Sequence, residues 1–312
     1  MVDDDGASGI TLTEPAPAKI NLALHVVGQR ADGYHRLDML VTFAAFGDRV
    51  SIFAADSDRF TLSGRFAEQL ADTTMADNLV LKARDRLRAA LTERGIAAPP
   101  VHLHLEKNLP VASGIGGGSA DAAATLRGLL RHWNAGIDRH LLDGIALGLG
   151  ADVPMCLASR PLVARGIGEE IELRTDLPAL AMVLVNPLVG VSTPEIFRRL
   201  QDKHNPRLKV PRAGTAEPCW LAALQAMRND LEAPAAALCP EIEEVRQALA
   251  ATGPALVRMS GSGATCFGLY HGLKAAERAA RDLVAAHPGW FVVASAAFAR
   301  ETSEGEDGHG AP

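Results

Sequence analysis

Four glycines fall within five residues of the segment PVASGIGGGSADAAATLRGL (110–129), at Gly114 and at Gly116, Gly117 and Gly118. The chain then passes directly into small, helix-favouring residues. Glycine admits positive φ and lets a ligand come close to backbone N–H groups. The free N–H groups and positive dipole end of the helix that follows point at the same loop. Bare backbone at a helix mouth is a site for phosphate. Ser119 can cap that helix or offer a hydroxyl to a phosphate or a metal, and Asp121 stands in the first turn, where a carboxylate suits the dipole. Two standard phosphate loops do not match. No lysine follows the glycines as a P-loop requires. Gly114-x-Gly116-x-x ends on Ser119, and residues 107–113 separate the run from the preceding strand, so the dinucleotide fingerprint fails too. A flexible glycine hinge is the competing reading.

Other residues combine reactive types with ordinary explanations. Lys19 and Asn21 stand two apart in an apolar strand, so they share one face while Ile20, Leu22 and Leu24 share the other. They are the solvated side of that strand, or a cation and an amide aimed at a ligand. Only six of the 31 basic residues are lysines, which makes a lysine at such a place a mild hint that an ammonium is wanted. Asp152, in GLGADVPM, follows a helix and precedes Pro154, a common place for a loop or cap aspartate. Lys107 precedes the glycine loop in LEKNLP and either touches a nucleotide or is exposed. Gly261, Ser262 and Gly263 read as a tight hairpin turn.

The elements that must position these residues mix irregularly. INLALHVVG (20–28) alternates as a strand does. LDMLVTFAAF, RVSIFAA, FTLSG and VHLHLE are further strands, and Asp32-Gly33 is turn punctuation. A helical period runs over 78–91 with Asp77 as its cap, and helices follow over about 118–132 and 139–150. Past residue 160 the pattern restarts with a hairpin in LVARGIGEEIELR and a buried strand at 180–187. Helices are expected over 192–200, 217–231, 240–251 and 273–287, with strands on both sides of the turn at 260–263 and a last strand at 290–299. This is α+β rather than a regular βαβ alternation. The division expected is a tail over 1–12, an N-terminal nucleotide-binding and catalytic domain over 13–160, a C-terminal substrate domain over 161–300 and a second tail over 301–312.

A length of 312 residues, 48% hydrophobic, allows a substantial core. The net charge of −6 disfavours nucleic acid as a partner, while a few local cations still suffice for a small anion. The acidic start MVDDDGASG is not a signal peptide, and no apolar run approaches membrane-spanning length. Cys156, Cys219, Cys239 and Cys266 match no metal or redox spacing and read as reduced thiols of a cytoplasmic protein.

PVASGIGGGSADAA resembles the glycine loop of the GHMP kinases, small-molecule kinases of galactose, homoserine, mevalonate and related alcohols. PAKINLALHVVGQRADGYHRLDML (17–40), GADVPMCL (150–157) and MSGSGATCFGLY (259–270) are similar to further blocks of that family, so the resemblance covers most of residues 15–300. Ala112-Ser113 before the glycines and Ala120 after Ser119 are small departures from the family's loop. The resemblance implies a two-domain α+β fold, with an S5-domain-2-like N-terminal half and a ferredoxin-like C-terminal half. It implies ATP and Mg²⁺ as cofactors, with direct transfer to an alcohol. Lys19 becomes a catalytic cation and Asp152 the base. Pro110, Val111, Ala112, Ser113, Gly114, Ile115, Gly116, Gly117, Gly118, Ser119 and Ala120 become the ATP cradle, with Lys107 beside them. Asn21, Tyr34, His35, Thr193 and Phe197 become substrate contacts, with Tyr34, His35 and Phe197 around a cytosine. The small-molecule partners implied are ATP and a cytidine-diphosphate-linked methylerythritol. The alternatives are another kinase of the family and a non-catalytic sugar or nucleotide sensor, although a sensor needs neither Lys19, Ser119 nor Asp152 for binding. Ser119 is the residue offered as a ligand of Mg²⁺.

Overall fold

The structure, a computed structural model, describes residues 12–71, 77–212 and 214–297. The tails expected over 1–12 and 301–312 lie outside the described residues, except for Leu12, which opens the first strand.

Two long strands dominate the N-terminal half. β1 (Leu12–Gln29) and β2 (His35–Ala54) pair antiparallel from Leu12↔Ile52 to Gln29↔His35. The turn between them closes with Arg30 N donating to Tyr34 O at 2.7 Å, while the Asp32 carboxylate accepts from Tyr34 N at 3.2 Å. The short strands expected over 37–55 are thus one strand, because β1 gives β2 a partner along its whole length. β1 carries Pro15 and Pro17, which cannot donate to a ladder, and it forms an edge of the sheet, where proline is tolerated. Its register shifts between Pro17 and Lys19, between Asn21 and Ala23, and between Val26 and Gly28. Each irregularity changes the phase of the side chains. As a result Ile20 and Leu22 pack in one cluster with Ala23, whereas Leu24, expected on their face, packs in the other.

β3 (Arg59–Ser63), β4 (Val101–Glu106), β5 (Leu162–Gly166) and β6 (Glu170–Leu173) complete a six-stranded sheet in the order β3-β4-β2-β5-β6, with β1 on β2. Only the β3–β4 pair among these ladders is parallel. Alongside run α1 (Ala67–Ala71), α2 (Leu79–Thr92), α3 (Gly117–His132), α4 (Arg139–Leu149) and α5 (Val153–Ala158). The cap of α2 is Asn78, whose side chain accepts from Val80 N, and not Asp77, which pairs with Lys82 instead.

The second half has a four-stranded antiparallel sheet in the order β10-β7-β9-β8, built from β7 (Ala181–Asn186), β8 (Leu256–Met259), β9 (Cys266–Tyr270) and β10 (Phe291–Ala296). α6 (Thr193–Arg198), α7 (Glu217–Ala226), α8 (Glu232–Leu238), α9 (Glu241–Ala251) and α10 (Leu273–Ala286) accompany it. The helix expected over 217–231 ends at Ala226. Residues 227–231 instead turn back to β1, where Leu24 N donates to Arg228 O at 3.0 Å and Asp230 N to Leu24 O at 2.9 Å. β5 and β6 follow residue 160 yet belong to the first sheet, and we place the division between the halves within 174–180.

The halves share a core. Ala18, Ile20, Leu22 and Leu40 of the first sheet pack with Met182, Leu184, Phe267 and Phe291 of the second. Complete burial of each of these side chains larger than alanine contributes roughly 1.5–3 kcal/mol. The free edge of β1 runs along the seam and bonds in turn to the glycine loop, to the 260–263 turn and to the 228–230 segment. That strand is therefore the ruler on which residues of both halves are brought to one place.

Candidate active site

Lys19 and Asn21 are not the wet side of their strand, since they are 3% and 0% exposed. Lys19 N donates to Ile115 O at 2.9 Å, which fastens β1 to the glycine loop. The Lys19 ammonium then reaches Asp152 Oδ2 at 2.9 Å across 133 residues of chain. Asp152 stands at the N-cap position of α5, but its side chain makes no capping bond. Its carboxylate is 38% exposed while Lys19 is almost wholly enclosed, so the pair presents its acidic member to the cleft.

The glycine loop takes the shape its composition allows. Gly114 and Gly116 have φ of +75° and +65°. Gly116 is the N-cap of α3, which starts at Gly117 and so places Ser119 in the first turn rather than at the cap. A Cβ on Gly116 would stand 3.2 Å from Lys19 Cβ. A Cβ on Gly114 would stand 2.6 Å from the backbone oxygens of Ser260 and Gly263, and one on Gly261 2.6 Å from Gly114 O. The two glycine turns therefore cross backbone against backbone. Ser260 fixes the crossing, accepting from Asn21 N at 3.0 Å and donating to Gly114 O at 3.2 Å. Asn229 holds the same turn from behind, donating to Met259 O and Gly261 O at 2.8 Å each.

Two clefts meet at this point. One of about 280 Å³ is lined by Lys19, Leu79, residues 112–114 and 116–119, Asp152, Val191, Thr193, Gly261 and Ser262. The other, about 760 Å³, is lined by residues that include Tyr34, His35, Thr193, Phe197, Arg198 and Lys203. Ser119, Asp152 and Thr193 belong to both. His35 and Phe197, from opposite halves, stack with ring centroids 4.7 Å apart, too close for a base to lie between them. Tyr34, which is 60% exposed, lines the same cleft as the stacked pair. Burial and the nearby Lys203 hold the His35 imidazole below its ordinary pKa, and its Nε2 is enclosed without a partner. Thr193 Oγ1 lies 2.7 Å from Ser262 Oγ, which ties α6 to the C-terminal turn.

Several expected residues take other places. Lys107 lines neither cleft. It is 2% exposed, and its ammonium lies 2.5 Å from Asp48 and 2.8 Å from Asp121 beneath the loop. Burial alone would lower the Lys107 pKa, but the charges of Asp121 and Asp48 outweigh it and raise the value. Asp121 faces this ammonium rather than free helix N–H groups, and burial pushes its carboxyl upward. Pro110, Ile115 and Ala120 are buried beneath the loop rather than on the cleft walls, and Val111 is exposed outside them. Asn21 lines neither cleft; its Nδ2 contacts Met39 Sδ at 3.4 Å and its Oδ1 is buried without a partner. Sequence reading passed over Asp48, Lys203, Arg198, Leu79 and Asn229, because nothing local marks a residue whose partner comes from another element. Among the described residues no three His, Cys, Asp or Glu side chains cluster as a cation cage, and no helix is long and apolar enough to cross a membrane.

The signature described as the GHMP kinases N terminal domain matches residues 78–160, and that of the GHMP kinases C terminal matches 214–289. The 4-diphosphocytidyl-2-C-methyl-D-erythritol kinase of Rhizobium meliloti (strain 1021) is 63% identical over 290 residues, covering 93% of this chain and 96% of the relative. The protein of the same name from Agrobacterium fabrum is 62% identical, covering 91% and 96%. A crystal structure of 4-(cytidine 5'-diphospho)-2C-methyl-D-erythritol kinase superposes with a TM-score of 0.75 at 34% identity, over 92% of this chain and 99% of that one. Homoserine kinase from Cytophaga hutchinsonii, at 17% identity and a TM-score of 0.67, shares the fold. Glycine loop, Lys19–Asp152 pair, C-terminal glycine turn and both signatures lie on one fold, and the chain belongs to the GHMP kinase family.

Proposed function

We propose that this protein transfers the γ-phosphoryl group of ATP to the 2-hydroxyl of 4-diphosphocytidyl-2-C-methyl-D-erythritol, a step of the methylerythritol phosphate route to isoprenoid precursors. The observation that carries the reading is the junction of the two clefts at Asp152. The smaller cleft, at the mouth of α3, suits a triphosphate; the larger, with its aromatic stack and cations, suits a cytidine-diphosphate-linked alcohol. Asp152 Oδ accepts the proton of the attacking hydroxyl while the new O–P bond forms and the bond to the β–γ bridging oxygen breaks, releasing ADP. Lys19 offsets charge on the transferring group and holds Asp152 in place. Ser119 and Asp152 line the smaller cleft and would hold Mg²⁺ together with the substrate phosphates, where the cation would offset phosphate charge. The four cysteines are unpaired, in keeping with a reducing cytoplasm.

The test is ADP release on incubation with MgATP and a panel of alcohols. Release with the cytidylyl methylerythritol above all others is expected. Release with a different alcohol makes the protein another kinase of the family, and no release with any of them leaves a binding protein.

A further inference from the structure

Lys107, Asp48 and Asp121 form a buried ion triad that the chemistry above does not use. Their side chains are 2%, 0% and 3% exposed. The triad joins three elements. Asp48 belongs to β2, Lys107 follows β4 at the entrance to the glycine loop, and Asp121 lies in α3, one turn in from its start at Gly117. Asp48 Oδ2 accepts from Lys107 Nζ, and its Oδ1 accepts from the backbone N–H groups of Asn108 and Leu109, at 2.5 and 2.8 Å. Asp121 Oδ2 accepts from Lys107 at 2.8 Å. The Lys107 backbone is held as well, donating to Ser63 O at 2.7 Å and accepting from Phe66 N at 2.9 Å. Above the ammonium sits Gly117, where a Cβ would approach Nζ to 3.0 Å.

Three enclosed charges are a poor way to gain stability, because desolvation consumes most of the attraction and an apolar trio of similar volume often does as well. Their geometry has another use. Both ends of the glycine loop are tied to one ammonium, the entrance through Asp48 and the exit through Asp121. We propose that the Asp48–Lys107–Asp121 triad is the brace that pre-shapes the nucleotide cradle, with Asp121 as a positioning residue for ATP that touches no substrate. The inference rests on the kinase reading above. A pre-shaped cradle spares the nucleotide the cost of ordering the loop, so loosening it weakens ATP binding and leaves the acceptor cleft untouched.

The test compares Asp121→Ala with Asp121→Asn, using calorimetric titration with MgATP and steady-state kinetics well below the melting temperature. Asn keeps an oxygen for Lys107; Ala does not. Asp121→Ala is expected to weaken ATP binding on the order of tenfold, with the acceptor KM within about twofold and Asn close to wild type. A role in stability alone would lower Tm in the alanine variant without dividing the two KM values, and that result overturns the brace. So does an Asn variant as impaired as Ala. A wild-type protein that fails to bind MgATP would reject the kinase reading instead. Hydrogen exchange on the wild type needs no variant: the Asn108 and Leu109 amides should exchange more slowly with nucleotide bound, by reciprocity of coupling. Unchanged rates also overturn the proposal.

Discussion

At the scale of the residue, Asp152 and Phe197 carry separable jobs. Asp152→Asn keeps the shape of the side chain and removes the carboxylate beside Lys19 that is proposed as the base. It should lose about 10²–10⁴ in kcat while both dissociation constants stay near wild type. Single-turnover kinetics with direct binding measurements check this, and near-normal turnover would remove Asp152 from the chemistry. Phe197 is part of the wall of the larger cleft, proposed for the acceptor, and stacks on His35. Phe197→Ala should raise the acceptor KM, by a loss on the order of 1–3 kcal/mol of stacking, and leave the KM for ATP alone. A Phe197→Ala enzyme with an unaltered acceptor KM would make the ring a packing residue.

At the scale of the element, neighbouring glycines of one loop answer to different surroundings. Gly117 faces inward, toward Lys107 and Asp48. Gly118 faces Leu79, which a Cβ there would meet at an ordinary 3.5 Å, and both glycines line the cradle. Gly117→Val should force the buried triad apart at a cost of roughly 1–3 kcal/mol or more. Gly118→Val should keep its melting temperature and weaken ATP binding. Thermal scans paired with ATP titrations check the contrast, and a stable Gly117→Val protein would refute the assigned direction. Composition located the positive-φ loop and the helix start because both are local properties. It could not tell which glycine faces which way, since that depends on where β2 and β4 dock beneath.

At the scale of the whole molecule, the halves are joined by a neutral histidine. His25 is 4% exposed, and Arg228 N donates to its Nε2 at 3.3 Å. Its Nδ1 therefore carries the hydrogen and donates to Pro206 O at 2.8 Å. Protonation would remove the acceptor for Arg228. Burial, chiefly, holds the pKa values of His25, His35, His102 and His132 below the ordinary 6.5. The unfolded chain takes up these protons near its ordinary value and the folded chain only at lower pH. The stability they contribute is therefore complete above about pH 6.5 and is lost as pH falls below it. Scanning calorimetry should show Tm falling between about pH 7.5 and 5.5, and His25→Gln should flatten part of that fall. A Tm that stays level or rises over this interval would contradict the assignment.

The α+β class and the glycine run that opens a helix were legible in the sequence alone. These follow from side-chain period, backbone freedom and residue spacing within a few positions of chain. Tertiary structure decided which residues meet. Lys19 and Asp152 stand 133 positions apart, and only the docking of β1 against α5 brings them within 2.9 Å. Lys107, legible as a nucleotide contact or an exposed cation, became a buried strut because Asp48 and Asp121 arrive from 59 and 14 positions away. The domain boundary expected at residue 160 and the helix expected over 217–231 gave way for the same reason. Pairing with β2 drew β5 and β6 into the first sheet, and the open edge of β1 captured residues 228–230. Local preference proposes an element, and the unsatisfied backbone of a distant strand can override it.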